Sequence, residues 1–226
     1  MRTAKASAGV VQGLVLVLVL ALVAARAVAQ GADAGLVSLV EGAVTYTPPG
    51  GAPGRVQAYM KLREGDRIEV PPGAQVRVLF FDGGRQERWS GPAGFRVGKS
   101  AAEALSGKPE EVTVLPPGVP QRIAQVPQLV QLAKLGGVQL RGLAPAQRAG
   151  LDQQAALAQA RAAYDEMRGK LPADDITPEL YLYAVLHEYL LYGDMQAVVD
   201  EMLRRQPESE QAKAFAEGLR RRADKQ

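Results

Sequence analysis

Residues 62 to 84 read LREGDRIEVPPGAQVRVLFFDGG. Ile68 and Val70 alternate with Arg67 and Glu69. Ala74, Val76, Val78 and Phe80 alternate with Gln75, Arg77 and Leu79. A period of two predicts half-buried β-strands. Gly65-Asp66, Pro71-Pro72-Gly73 and Asp82-Gly83-Gly84 stand where those strands stop. Glycine accepts positive φ, and an aspartate there accepts hydrogen bonds from nearby backbone N–H groups. Gly65, Asp66, Asp82 and Gly83 therefore read as structural turn residues. Acid–base chemistry by two carboxylates needs proximity and a shifted pKa, and nothing in the stretch supplies either.

The same grammar continues on both sides. LVSLVEGAVTYT (36 to 47) predicts a strand, a break near Gly42 and a second strand. PPGGAPG (48 to 54) is a loop, and RVQAYMKL (55 to 62) places Val56, Ala58, Met60 and Leu62 on one face of a further strand. After Asp82-Gly83, GRQERWSG returns as a polar strand, followed by FRVG and VTVL. Trp89 in the polar strand is either a lid over the β core or an exposed contact for a partner. Residues 30–115 thus form a small all-β domain.

The order of these features resembles the FecR domain family. The resemblance runs from G-L-V-S-L-V-E-G-A-V (35 to 44) through L-x-x-G-D-x-I-x-V (62 to 70) to A-x-V-x-V-x-F-x-D-G (74 to 83). It implies an extracytoplasmic β module that binds or relays signals and has no enzymatic activity of its own. Well-known members control a sigma factor through a cytoplasmic N-terminal segment. Only thirteen residues precede Leu14 here, so that role is not carried over.

Residues 116–150 are rich in Pro and Gly and contain no acid, so they read as a solvated linker. One short helix (128 to 135) and a short extended piece (138 to 143) are expected within it. Residues 151–226 change to Ala, Leu, Glu and Arg with little Gly, which predicts helices over 151–170, 178–192, 195–205 and 208–222. Thr177 is the expected N-cap of the second, with Pro178 at N1. AAYDEMRGKLP (162 to 172) and AVVDEMLRRQP (197 to 207) align at an offset of 35. That is close to the tetratricopeptide period of about 34 residues. The segment resembles such repeats, with a plain helical hairpin as the alternative. The fold class is α+β in two segregated parts.

Tyr181, Tyr189 and Tyr192 share helical spacing and read as core or, alternatively, as a partner groove. His187 is the only histidine and cysteine is absent. Thiolate catalysis, disulfides and Cys-ligated zinc are excluded on composition. No G-x-S-x-G elbow or phosphate-binding glycine loop occurs, so no catalytic residue, metal or cofactor is expected.

Residues 1–29 read as a secretory signal peptide. Arg2 and Lys5 precede an apolar run, Leu14 to Ala25, and Ala27-Val28-Ala29 offers the cleavage site. The chain carries 27 basic and 24 acidic residues. Arg2, Lys5 and Arg26 account for the whole excess, so the processed chain is neutral and nucleic acid is not an expected partner. The sequence therefore predicts a non-catalytic exported envelope protein that acts as a binding adaptor. A protein partner in the envelope is expected, with cell-wall polymer as a second class. The alternatives are a membrane-tethered signal relay that keeps its N-terminal helix, and an unrecognised hydrolase.

Overall fold

The computed structural model describes residues 32–135 and 150–224. The signal peptide with Ala27 and Ala29, and the extended piece at 138 to 143, lie outside the described residues. Among the described residues, ten strands form two antiparallel sheets. They are β1 (Asp33–Glu41), β2 (Thr45–Thr47), β3 (Gly54–Arg55), β4 (Lys61–Arg63), β5 (Arg67–Val70), β6 (Gln75–Phe80), β7 (Arg85–Ser90), β8 (Ala93–Val97), β9 (Ala102–Ser106) and β10 (Glu111–Val114). Sheet one has the order β10-β7-β6-β1-β4, and sheet two β3-β2-β5-β8-β9.

The chain changes sheet where the apolar pattern is interrupted. Between β1 and β2, Gly42 adopts φ 80°, and a Cβ there would lie 2.7 Å from that of Ala74. Only glycine fits both constraints. Between β4 and β5, Gly65 adopts φ 92°. Residues 55–62, expected as one strand, are instead divided. β3 belongs to sheet two and β4 to sheet one, and Tyr59 turns the chain between them at φ 63°. Val56 and Leu62 still enter the core, so the alternation holds at both ends while the strand does not. β9 is a strand that the sequence did not announce. Its Ala- and Glu-rich residues have little β propensity, and pairing with β8 overrides that preference.

The two sheets face each other across a core of Val37, Val76, Val78, Phe80 and Trp89 from one and Ile68, Val70, Phe95 and Val97 from the other. The Trp89 and Phe95 rings stack with centroids 4.6 Å apart. Full burial of each such side chain contributes roughly 1.5–3 kcal/mol. Sheet one is also covered on its outer face. There Leu36 and Leu79 join Leu115, Val119 and Ile123 in a second cluster that continues into the helices. Burial on two faces explains why β1 reads as a nearly continuous apolar run.

Six helices follow among the described residues: α1 (Val119–Ile123), α2 (Val126–Lys134), α3 (Gly150–Lys170), α4 (Thr177–Glu188), α5 (Tyr192–Arg205) and α6 (Glu210–Ala223). The last four correspond to the expected set. α4 ends earlier than expected because Leu190 takes φ 57° and the Leu191 N–H returns to the Leu186 carbonyl. That closure is a Schellman motif built without glycine. The reading of 116–135 as a solvated connector is corrected. Residues 119–134 form α1 and α2, and Val119, Ile123 and Val126 are fully buried. The prolines misled: Pro120 and Pro127 occupy the first turns of these helices, where proline is tolerated. α2 packs on α6 so closely that a Cβ on Gly218 would stand 3.0 Å from the Ala133 backbone.

Candidate functional site at the sandwich–helix seam

The turn residues hold strands, as their chemistry requires. Asp66 is buried, and its carboxylate accepts from the Arg63 N–H at 2.8 Å. The main chain of the Gly65-Asp66 turn pairs with β8 as well, since Val97 N–H donates to Asp66 O and Gly65 N–H donates to Val97 O. Gly83 takes φ 80°, and exposed Asp82 pairs with Lys99 at 3.3 Å. Asp66 and Asp82 have separate partners, and nothing brings them into one site.

The candidate aromatic contacts are placed differently from one another. Trp89 is 1% exposed and lies inside the sandwich, so the exposed-contact reading is corrected in favour of the core. Its indole N–H donates to Glu87 Oε2 at 2.9 Å, and Glu87 Oε1 accepts from Arg85 at 2.5 Å and from the Ala102 N–H at 3.4 Å. Glu87 thereby ties β7 to the start of β9 across the two sheets. Tyr181 is buried in the helical cluster, whereas Tyr189 and Tyr192 are half-buried. The Arg222 guanidinium lies 3.7 Å from the Tyr192 ring centroid. His187 stacks beside Tyr183, and burial, aided by the Arg222 charge, lowers its pKa from the ordinary histidine value.

The strongest concentration of chemistry lies where the connection between α3 and α4 meets the outer face of sheet one. Arg77 on β6 and Gln86 on β7 project there and are 2% and 4% exposed. Gln86 donates to Asp175 Oδ2 at 2.5 Å. The Arg77 guanidinium lies 3.3 Å from Asp175 and 3.6 Å from Asp174. The other oxygen of Asp175 accepts from the Thr177 N–H at 2.8 Å and opens α4. Asp175, rather than the expected Thr177, supplies the side-chain acceptor at that helix start.

A second group of charges continues the first. Glu179 is fully buried and faces Arg168 at 3.5 Å and Arg205 at 3.3 Å, while Tyr164 donates to it at 3.0 Å. Burial, then the Glu179 charge, raises the Tyr164 pKa, and burial lowers that of Arg168 against the pull of Glu179. Three side chains bind the main chain of the α3–α4 connection. Arg168 donates to the Asp175 carbonyl, Arg205 to that of Ala173 at 2.8 Å and Gln206 to that of Asp174 at 2.6 Å. Tyr59 closes the site from the sandwich side. Its hydroxyl is buried near the Ser209 side chain, and burial, with the Asp175 charge, pushes its pKa up. A shallow recess lined by Arg77, Gln86, Arg88, Glu111, Thr113 and Pro172 reaches the seam from its edge.

The seam joins surfaces and orders a loop. Its acids are engaged by arginines, and among the described residues no three His, Cys, Asp or Glu side chains are grouped to hold a metal ion. The sequence held one clue to it. Arg77 shares its strand face with Leu79 and Phe81, so something had to cover that face. Asp175 and Glu179 left no comparable trace, because acids at a helix start ordinarily read as exposed. Comparisons with protein-family models, curated proteins and solved structures found no match to this chain.

Proposed function

We propose that the chain is a non-catalytic adaptor of the cell envelope, exported through its N-terminal segment. It would bind one component through a FecR-like β module and another through tetratricopeptide-like helices. The observation that carries the reading is where the FecR-like motif falls in the fold. Its apolar positions Leu62, Ile68, Val70, Val76, Val78 and Phe80 all lie in the sandwich core, and Asp66 is occupied by a backbone N–H. Residues spent on core and turns build the module, so binding would fall to its surface and loops. For the helical half, the support is an α4–α5 hairpin flanked by α3 and α6, the arrangement from which helical repeat arrays are built.

Cross-linking in living cells with a C-terminally tagged chain tests this reading. Repeated capture of one or two envelope proteins, on a chain whose N-terminus is Gln30, is the expected result. Capture of cell-wall polymer alone would replace the protein partner with a glycan. A chain found only with its first 29 residues attached would favour the membrane-tethered relay.

A further inference from the structure

We propose that the chain forms a two-fold dimer through β10, an edge strand of sheet one. Two copies of β10 pair antiparallel about Thr113, and the two five-stranded sheets become one continuous sheet.

Among the described residues the two sheets end on four edge strands, β4, β10, β3 and β9. Open edges invite further strands, and proteins blunt them with brevity, charge or irregular pairing. Three of the four are guarded in these ways. β3 has two residues, and β4 carries a cation at each end, Lys61 and Arg63. β9 is interrupted by a register shift opposite Gly94 and Phe95. β10 differs. It pairs with β7 in unbroken register from Glu111 to Val114, and Val112-Thr113-Val114 carries no charge. Val112 and Val114 are 41% and 61% exposed. Five large apolar side chains are exposed among the described residues, and this four-residue strand holds two of them. Single exposed apolar groups are ordinary, whereas two on one face of an open strand call for cover.

The backbone decides which groups remain to be paired. Leu115 N–H donates to Gly84 O, so by the alternation of an antiparallel ladder the main chain of Thr113 and Glu111 also turns to β7. Val112 and Val114 then direct their N–H and C=O groups to the open side. A second β10 offers the matching alternation. Val-Thr-Val reads alike in both directions, so with Thr113 on the axis Val112 of each copy meets Val114 of the other. Each of these two pairs exchanges two backbone hydrogen bonds, and the valines of both copies gather on one face. Glu111 falls opposite Leu115 of the second copy, so the register opposes no like charges, and the Glu111 carboxylate keeps its own Arg88 at 3.5 Å. The strand complements itself, which is why the occupant is a second copy of this chain.

Sedimentation velocity on the full chain, as the cell processes it, tests the dimer. Between ~1 µM and ~1 mM the mass should rise from one chain toward two. Val112→Pro removes an outward N–H and leaves the ladder with β7 intact. By symmetry it deletes two hydrogen bonds, so it should weaken association at least ~10-fold. Val114→Lys, at an exposed position, should act in the same direction through charge. The sequence has no cysteine, so single-cysteine variants report the register. Thr113→Cys should form the intermolecular disulfide fastest, because only the axial residue meets its own counterpart, about 4.5 Å away between Cα atoms. A monomer throughout the range would overturn the proposal, as would association undiminished by Val114→Lys or faster cross-linking of Val112→Cys. If Val112→Pro does not fold, Val114→Lys and the cysteine series decide.

Discussion

At the scale of single residues, the two aspartates that frame the central strands differ in what they hold. Asp66 is buried on a backbone N–H, whereas Asp82 is exposed and pairs with a lysine at the surface. Asp66→Ala should cost about 1–3 kcal/mol, because it leaves a buried donor unpaired. Asp82→Ala should cost at most about 0.5 kcal/mol, since an exposed ion pair is worth little. Chemical denaturation of the two variants checks this, and similar losses would refute it. The difference between them was only partly legible. Both stand beside glycine in the sequence, and that context marks a turn without saying which turn is buried. Trp89 shows the same limit: its polar neighbours Arg85 and Glu87 gave no sign that the indole faces a core, because Glu87 is itself buried to receive it.

At the scale of elements, helix packing decides which glycines matter. A β-methyl added at Gly169 in α3 or Gly193 in α5 would meet nothing within 4 Å, whereas one at Gly218 in α6 would meet the α2 backbone at 3.0 Å. Gly169→Ala should stabilise the protein by about 0.5–1 kcal/mol through helix propensity. Gly218→Ala gains the same propensity but crowds α2, so its net effect should be a loss of up to about 1 kcal/mol. Gly218→Val should lose about 2–3 kcal/mol. Thermal unfolding of the three variants gives the order. Elements with a strong period were legible in the sequence, and α3, α5 and α6 were found within a few residues. α2 was anticipated only as a short helix at 128 to 135 inside a linker and α1 not at all, since their prolines punctuate the chain like a linker and their burial depends on a sheet face far away in sequence. β9 was hidden for the complementary reason, that its strand state is imposed by β8.

At the scale of the whole molecule, the sandwich depends on its helices. Leu36, Leu79 and Leu115 belong to the cluster that runs into α1 and beyond. A fragment ending at Leu115 should therefore expose an apolar strip on sheet one. It should unfold at a clearly lower temperature than the full chain and self-associate, as scanning calorimetry and light scattering would read. A fragment as stable as the intact protein would show that the two parts are independent. Composition had suggested two halves joined by a connector, and the change in grammar near residue 115 is real. What composition could not report is that the joint itself is built from buried residues.

The α3–α4 connection is gripped by its carbonyls: Arg168, Arg205 and Gln206 reach main-chain oxygens of Asp175, Ala173 and Asp174. A peptide oxygen is the same whatever side chain accompanies it. The side chain at position 173 is thus free to drift over generations while the three donors are not. Distant kin of this chain would then be recognised by an arginine in α3 and an arginine–glutamine pair closing α5, rather than by any likeness in the loop those residues hold.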